Sequence, residues 1–166
     1  MHANRTRRTS AVALAAVVAL AVAVPIATAD RGHGDGHGSA HGQGRGIDAA
    51  IARHLANVEE CDAEGLVDDY TRDARVFFPD GVVVSGRAEL TALYENFVKP
   101  FDQGGLCGLR LQVVDRFREG KSAIVKVQVT ADFLAEPYFS TDSYIFRRGK
   151  IAAEVSTFDA SKLKFR

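Results

Sequence analysis

The feature that most constrains the fold is a series of four segments with strand-like alternation in the second half of the chain. The segments are residues 109–118, 122–133, 139–147 and 150–158. Every other residue of the second segment is apolar, which gives that strand one wholly apolar face. Short turns at Glu119-Gly120 and Arg148-Gly149 join two of the pairs. We therefore expect a four-strand antiparallel meander that buries one face.

Helical segments precede this meander. A first helix over about 48–60 is predicted by apolar residues on a single stripe, namely Ile47, Ile51, Leu55 and Val58. A short helix over about 62–70 and another over about 87–101 follow it. Between these two, apolar runs flank Pro79-Asp80-Gly81, the pattern of a β-hairpin. The order of elements predicts an α+β fold with the helices gathered on one side of a curled antiparallel sheet.

The first 29 residues have the pattern of a secretory signal peptide. Three arginines, at positions 5, 7 and 8, precede an uncharged, Ala/Val-rich run that ends in Ala27-Thr28-Ala29. The run contains Pro25 and little Leu, Ile or Phe, so we do not expect a stable membrane anchor. We expect cleavage near Ala29 and a secreted or extracytoplasmic protein. Arg7-Arg8 leaves both Sec and Tat export open.

Residues 30–46 are rich in glycine and histidine and contain no large apolar side chain. Such a tract buries too little surface to offset the entropy of ordering, so we expect a disordered linker. Three histidines recur there at every fourth position, namely His33, His37 and His41. A weak transition-metal tether and a solvated spacer are both compatible with this spacing. The folded domain is expected over 47–160, with a C-terminal tail over 161–166.

Charge and motifs exclude several classes of function. The chain has 21 basic and 21 acidic residues, and removing the first 29 residues takes away three arginines, which leaves 18 against 21, or −3. A slightly acidic surface without basic clusters gives no reason to expect nucleic acid or anionic lipid as a partner. The sequence has no G-x-S-x-G, phosphate-binding glycine loop, HExxH or CxxC motif. We therefore expect neither a cofactor nor a metal.

Two cysteines, Cys61 and Cys107, are present in the expected domain. Export makes a disulfide chemically possible, and it would close a loop of about 46 residues, worth about 3–4 kcal/mol in the chain-entropy description. Two unpaired thiols are the alternative, because the sequence does not show whether the cysteines meet in space.

Four motifs carry a resemblance to a known family. They are CDAEGL at 61–66, YTRDARVFFPDG at 70–81, SGRAEL at 85–90 and SYIFRRGKI at 143–151. In this order they resemble the SnoaL-like and ketosteroid-isomerase-like branch of the nuclear-transport-factor-two-like superfamily. The resemblance implies a cone-shaped fold in which helices close a curved sheet around a cavity. It also implies a homodimer, often formed through the outer face of the sheet.

Three positions decide what such a cavity does. The resemblance places a hydrogen-bond-donating tyrosine where this chain has His54, and a histidine donates likewise or acts as an acid or base. It places a buried, protonated acid at Asp142, which alternates with Tyr144 and Phe146. Phe78 stands where the family has its catalytic base, and phenylalanine cannot accept a proton. A purely structural histidine and a solvent-facing aspartate are the alternatives for His54 and Asp142.

Asp115 and Asp132 are candidates to replace the missing base. The alternation places Asp115 on the face of Leu111, Val113 and Phe117, and Asp132 ends the long apolar strand. We expect an apolar pocket for a small molecule, lined by Phe78, Tyr94, Phe97, Tyr144 and Phe146. Two functions follow. One is a cofactor-free isomerase, cyclase or lyase acting on an apolar carbonyl compound, and the other is a non-catalytic module that binds a small molecule or a protein.

Overall fold

The computed structural model describes the backbone of residues 40–166 and the side chains of residues 46–166. The expected signal peptide and its cleavage site, together with His33 and His37, lie outside the described residues. The elements are α1 Ala40–Glu59, α2 Ala63–Asp68, β1 Tyr70–Phe77, β2 Val83–Ser85, α3 Gly86–Phe97, β3 Arg110–Glu119, β4 Ser122–Thr130, β5 Tyr138–Arg147 and β6 Lys150–Val155. Among the described helices, none has the length and apolar character needed to cross a membrane.

The six strands form a single mixed sheet in the order β2-β1-β6-β5-β4-β3. The predicted hairpin and four-strand meander are both confirmed, since β1 pairs antiparallel with β2 and β3 to β6 pair antiparallel in succession. The predicted sheet was antiparallel throughout, but β1 runs parallel to β6, with Phe77 opposite Val155. This pairing joins the hairpin to the meander. The six strands thus form one curved sheet that does not close on itself, and with its helices the fold is α+β.

Helix α1 begins at Ala40, well before the predicted start near residue 48. Residues 40–46, which were expected to belong to the disordered linker, are therefore helical. Glycine is a poor helix former, which is why the sequence favours a linker there. Extending an existing helix by one residue costs far less free energy than nucleating a new one. The helix that forms around the apolar stripe can therefore extend towards its N-terminus through residues 40–46. At the other boundary, α3 ends at Phe97 rather than 101, because Pro100 disfavours helix in the residue before it.

The core lies between the helices and the inner face of the sheet. The alternation predicted for β4 is confirmed, since four of its residues are buried, namely Ala123, Val125, Val127 and Val129. They pack with Ile51 of α1, Leu66 of α2 and Leu90 of α3. Strand β3 buries almost nothing because it is the edge of the sheet.

The two cysteines form a disulfide, which answers the question that the sequence left open. Cys61 follows α1 and Cys107 precedes β3, and their Cα atoms lie 5.5 Å apart. The C-terminal tail also packs on the domain. Leu163 is buried, and Phe165 forms a backbone bridge with Leu134. The disulfide and the tail thus stabilise the same end of the meander.

Candidate active site

At one end of the site a buried aspartate holds the histidine of α1. Asp69 is 2% exposed and His54 is 5% exposed. The carboxylate accepts three hydrogen bonds, from His54 Nδ1 at 3.3 Å, Asn57 Nδ2 at 2.9 Å and Arg53 Nε at 2.5 Å. Burial acts to raise the pKa of Asp69, but the bonds from His54 and Arg53 outweigh it and lower that pKa. An ionised carboxylate can only accept, so Nδ1 of His54 carries a proton.

Helical spacing explains how α1 supplies these donors. His54 and Asn57 are three residues apart and both buried, so they share the inner face of the helix. Arg53 lies at the margin of that face, with its side chain 51% exposed. Asp69 is the residue between α2 and β1, and this short connection places its carboxylate against α1. The histidine predicted to face the interior is therefore confirmed as buried.

At the other end of the site, a buried glutamate accepts a hydrogen bond from a phenol. The Tyr70 hydroxyl donates to Glu154 Oε2, and it also lies 2.6 Å from the Tyr94 hydroxyl. Because Tyr70 has one proton and gives it to the carboxylate, Tyr94 donates to Tyr70. Glu154 is 5% exposed, and burial raises its pKa to about 7. A carboxyl with such a pKa exchanges its proton near neutral pH.

Asp142 is the third acid of the site and is partly buried. One of its oxygens, Oδ1, accepts three hydrogen bonds at 2.9 Å, from the hydroxyls of Ser140 and Ser156 and the backbone N–H of Thr157. Burial raises the pKa of Asp142, although these three bonds act to lower it. The predicted buried position is thus supported over a solvent-facing one.

The three acids and the histidine form one electrostatic unit. The charge of Asp142 contributes to raising the pKa of Glu154, whereas His54 acts to lower the pKa values of both carboxyls. The His54 ring also contacts Tyr70 and Tyr144 edge-on, with centroids 5.6 and 5.9 Å apart. His54 and Asp142 thus both act on the pKa of Glu154, a residue that the sequence did not connect with either of them.

The residues predicted to line the pocket surround this unit. Tyr94, Tyr144 and Phe146 are buried, and Phe97 lies against Tyr94 with ring centroids 6.4 Å apart. Phe78 is partly buried at the hairpin turn, where its N–H donates to the carbonyl of Val82. Tyr144 likewise lies beside Phe146, with ring centroids 6.1 Å apart.

Asp115 and Asp132 do not reach the site. A bulge between Val113 and Asp115 reverses the face of the strand, so Asp115 lies opposite Lys126 and is exposed. The simple alternation that grouped Asp115 with Val113 fails for this reason. Asp132 has a side chain that is 93% exposed and pairs with Arg110. The structure therefore offers neither residue as a base beside His54.

Glu154 and Tyr70, in contrast, were missed by the sequence analysis. Strict alternation along β6 would place Ala153 and Val155 on the same face of the sheet as Ile151, and Glu154 on the opposite face. A register irregularity between Ile145 and Phe146 of β5 changes this pattern, and both Ile151 and Glu154 are buried. The bulge leaves no signal in the sequence. The only available hint was a glutamate in an otherwise apolar stretch.

A separate cleft of about 410 Å³ opens on the other side of Asp69. Its lining consists of Arg53, Asn57, Gly65, Asp68, Asp69, Arg148, Gly149 and Lys150. Apart from the two glycines these residues are polar or charged, and none of the predicted lining residues is among them, so this cleft is not the apolar pocket that the sequence predicted.

Similar architectures occur among solved structures of known proteins. An epoxide hydrolase/cyclase-like enzyme with a role in pyran ring formation in salinomycin is 15% identical, with a TM-score of 0.59 over 74% of this chain and 98% of that one. A candidate ketosteroid isomerase from Kribbella flavida is 17% identical, with a TM-score of 0.56 over 69% and 78%. A candidate polyketide cyclase from Sinorhizobium meliloti is 16% identical, with a TM-score of 0.54 over 68% and 98%.

Comparison by sequence finds no match for this chain, whereas comparison by structure does. No protein-family model matches the chain, and no curated protein matches it. At identities of 11–22%, the structural likeness establishes the fold and not the reaction. The chain therefore has the fold that these ketosteroid-isomerase-like, cyclase-like and nuclear-transport-factor-two-like structures share.

Proposed function

We propose that this protein is a cofactor-free proton-transfer enzyme of the isomerase or cyclase kind, acting on an apolar carbonyl compound. The observation that carries the proposal is Glu154, a buried carboxyl whose pKa is raised to about 7 beside a histidine and a second acid. It takes over the role of the base that Phe78 cannot fill.

The geometry assigns each group a part in the reaction. Glu154 Oε2 accepts from Tyr70, while Oε1 has no hydrogen bond among the described residues and is the oxygen available to take a proton. In its ionised form Glu154 removes a proton from the carbon next to the carbonyl and returns it to another carbon, so that no net charge is gained. The oxyanion that develops needs a hydrogen-bond donor. Asp142 would supply it only if it keeps its proton while Glu154 is ionised, and His54 would supply it only through Nε2 of a doubly protonated ring, since its Nδ1 is bound to Asp69.

A second candidate is a binding module without catalysis. Phe78 at the position of the family's base favours it, since a protein that only binds needs no base there. The structural neighbours include a protein co-crystallised with polyporic acid, 18% identical over 70% of this chain, with a TM-score of 0.55. Small-molecule binding is thus compatible with the fold whether or not a reaction follows.

We further propose export and dimerisation. The signal pattern at residues 1–29 supports a location outside the cytoplasm, and the Cys61–Cys107 disulfide suits an oxidising compartment. Large apolar residues are exposed on five strands of the sheet, namely Phe77, Phe117, Ile124, Phe139, Ile145 and Val155. Exposure on this scale is typical of a protein–protein interface, so a homodimer through the sheet is expected. Sedimentation of Ile145→Lys against the unchanged protein tests it, with dissociation of a dimer as the expected result.

The enzyme proposal is tested by deuterium exchange. The purified protein is incubated in D₂O with a panel of apolar cyclic ketones, and mass spectrometry follows deuterium incorporation at the carbon next to the carbonyl. We expect at least one ketone to exchange faster than in buffer, with a rate that rises as pH passes about 7 and Glu154 ionises. Glu154→Gln should lower that rate by about 10²–10⁴-fold.

Glu119→Gln is the matched control, since Glu119 is an exposed glutamate at the end of β3. It removes the same charge without touching the site and should leave the exchange rate unchanged. If ketones bind but none exchanges above the buffer rate, the non-catalytic candidate replaces the enzyme.

A further inference from the structure

The charged cleft beside Asp69 is distinct from the proposed reaction site. It lies where α1, α2 and the turn between β5 and β6 meet. Two carboxylates and three cations line it, and its volume of about 410 Å³ accommodates a small molecule. What it binds depends on which of these charges are already neutralised.

Both carboxylates are committed to partners. Asp69 is buried and accepts from His54, Asn57 and Arg53. Asp68 accepts from Arg87 Nη2 at 2.5 Å, and this bond lowers the pKa of Asp68. The charge of each carboxylate is therefore at least partly neutralised by an arginine.

The cations, in contrast, keep unused donors. Arg53 gives only its Nε to Asp69, and its terminal nitrogens make no hydrogen bond within the part of the chain that the structure describes. Arg148 and Lys150 are exposed and form no ion pair with any residue from 46 to 166. The cleft therefore offers three sets of donors and a net positive charge to a ligand.

Arg148 has an unfavourable backbone conformation for its residue type. Its φ is +54°, and Gly149 follows at +77°, which is the geometry of a tight two-residue hairpin turn. Asparagine, aspartate or glycine adopt the first position of such a turn at lower cost than arginine. A strained arginine at the edge of a cleft is an observation that points to a function of its guanidinium.

We infer that this cleft binds a small molecule through an oxyanion group, a carboxylate or a phosphate. Arg148, Lys150 and the terminal nitrogens of Arg53 hold the anion, and the arginine guanidinium groups match its paired oxygens. The inference is independent of the reaction proposed for Glu154, because it concerns a different surface and needs no catalysis.

Binding in the cleft is also felt at His54. The exposed end of the Arg53 side chain lines the cleft, while its Nε donates to Asp69. Asp69 also accepts a hydrogen bond from His54 Nδ1. An anion that draws the Arg53 guanidinium outward changes the hydrogen bonding of the carboxylate that orients the histidine ring. The His54 ring signals therefore report on the occupancy of a site that the ring does not itself line.

The test is a titration of the full-length protein with inorganic phosphate, and separately with acetate, followed by NMR at constant ionic strength. We expect saturable shifts of the Gly65 and Gly149 amides and of the His54 ring with at least one of the two anions. Arg148→Asn with Lys150→Gln should weaken that binding by about tenfold or more, since two charged contacts are lost. Asparagine suits the turn, so this variant should fold.

The control is Arg75→Gln with Lys121→Gln, which removes two exposed positive charges outside the cleft. It should change the affinity by less than about twofold, as expected of distant, screened charges. Equal weakening by the two double variants, or shifts that never saturate with either anion, would overturn the inference. Preference for phosphate or for acetate identifies which oxyanion the cleft takes.

Discussion

Asp69 and Glu154 are two acids buried to nearly the same extent, and the structure gives them opposite protonation behaviour. Asp69 is 2% exposed and Glu154 is 5% exposed. The pKa of Asp69 is lowered, whereas the pKa of Glu154 is raised to about 7. The difference lies in their donors, since Asp69 accepts from a cation, an imidazole and an amide, and Glu154 accepts from a single phenol.

The comparison separates two tasks. A carboxylate that several donors hold in its ionised form orients its neighbours, as Asp69 orients His54. A carboxyl that loses its hydration without such donors keeps its proton up to neutral pH and is able to exchange it there. Burial alone therefore does not identify an acid–base residue, and the donor count decides which role each acid takes.

The largest effect is expected from neutralising Asp69. Asp69→Asn removes the ionised acceptor of three hydrogen bonds, from Arg53, His54 and Asn57, and each hydrogen bond to a charged group contributes about 1.5–3 kcal/mol. Urea unfolding at pH 7 measures the loss of unfolding free energy. Asp68→Asn is the control, because the Asp68–Arg87 pair is exposed and screened by solvent, so it contributes little. Equal losses in both variants would contradict the role of burial.

Substitution of Glu154, in contrast to that of Asp69, is expected to increase the free energy of unfolding at high pH. Its pKa is about 7 in the folded protein against 4.5 for the free residue, so its protonation stabilises the fold fully below about pH 4.5. That contribution is lost as pH rises through 7, and it amounts to about 3 kcal/mol in total. Glu154→Gln should remove this dependence and be more stable than the unchanged protein above pH 8.

Denaturant unfolding from pH 4.5 to 8.5 measures this difference between the two proteins. Comparing them cancels the contributions of all groups that they share. A parallel pH dependence in both would show that Glu154 is already ionised throughout the range and would remove it as the proton-exchanging acid.

A smaller effect is expected from removing the Tyr70 hydroxyl, which donates a hydrogen bond to Glu154. Tyr70→Phe takes away its hydrogen bond, which favours the ionised carboxylate, so the pKa of Glu154 should rise further. The loss of one buried hydrogen bond costs about 1–2 kcal/mol. An NMR titration of the Glu154 side-chain carboxyl measures the direction. Tyr138→Phe, which loses a hydroxyl outside the site, is the control and should leave that pKa unchanged.

The smallest effect concerns the rim of the cleft at the Asp69 end. Arg148→Asn relieves a left-handed conformation that arginine adopts reluctantly, so the protein should gain about 0.5 kcal/mol of unfolding free energy. Thermal unfolding measures the gain. Arg147→Asn, one residue earlier within β5, should give no gain, because it loses a contact with Asp73 and relieves no strain.

Much of the fold could be predicted from patterns that depend on neighbouring residues alone. The alternation of Ala123 to Val129 located β4, and the Pro-Asp-Gly turn located the hairpin of β1 and β2. Local patterns failed where a bulge altered the alternation. Asp115 was expected to face inward and is exposed, and Glu154 was passed over and is buried.

The candidate site could be predicted only in part for the same reason. His54 and Asp142 were expected inside from their local patterns, and His54 is buried whereas Asp142 is partly buried. Asp69 gave no such signal, and no local pattern linked Tyr70 to an acid, because their contacts are with α1 and β6, which are distant along the chain. Contacts over such distances depend on how the helices pack on the sheet.

The sequence by itself therefore determined the α+β class, the hairpin, the meander and the inward position of His54, since each follows from local periodicity and turn chemistry. Only the tertiary structure decided that Cys61 and Cys107 form a disulfide and that β1 lies parallel to β6. It also decided that the pKa of Glu154 is raised. The physical reason is that desolvation and donor count are properties of the assembled site. They arise when distant segments exclude water together, and no single segment carries them.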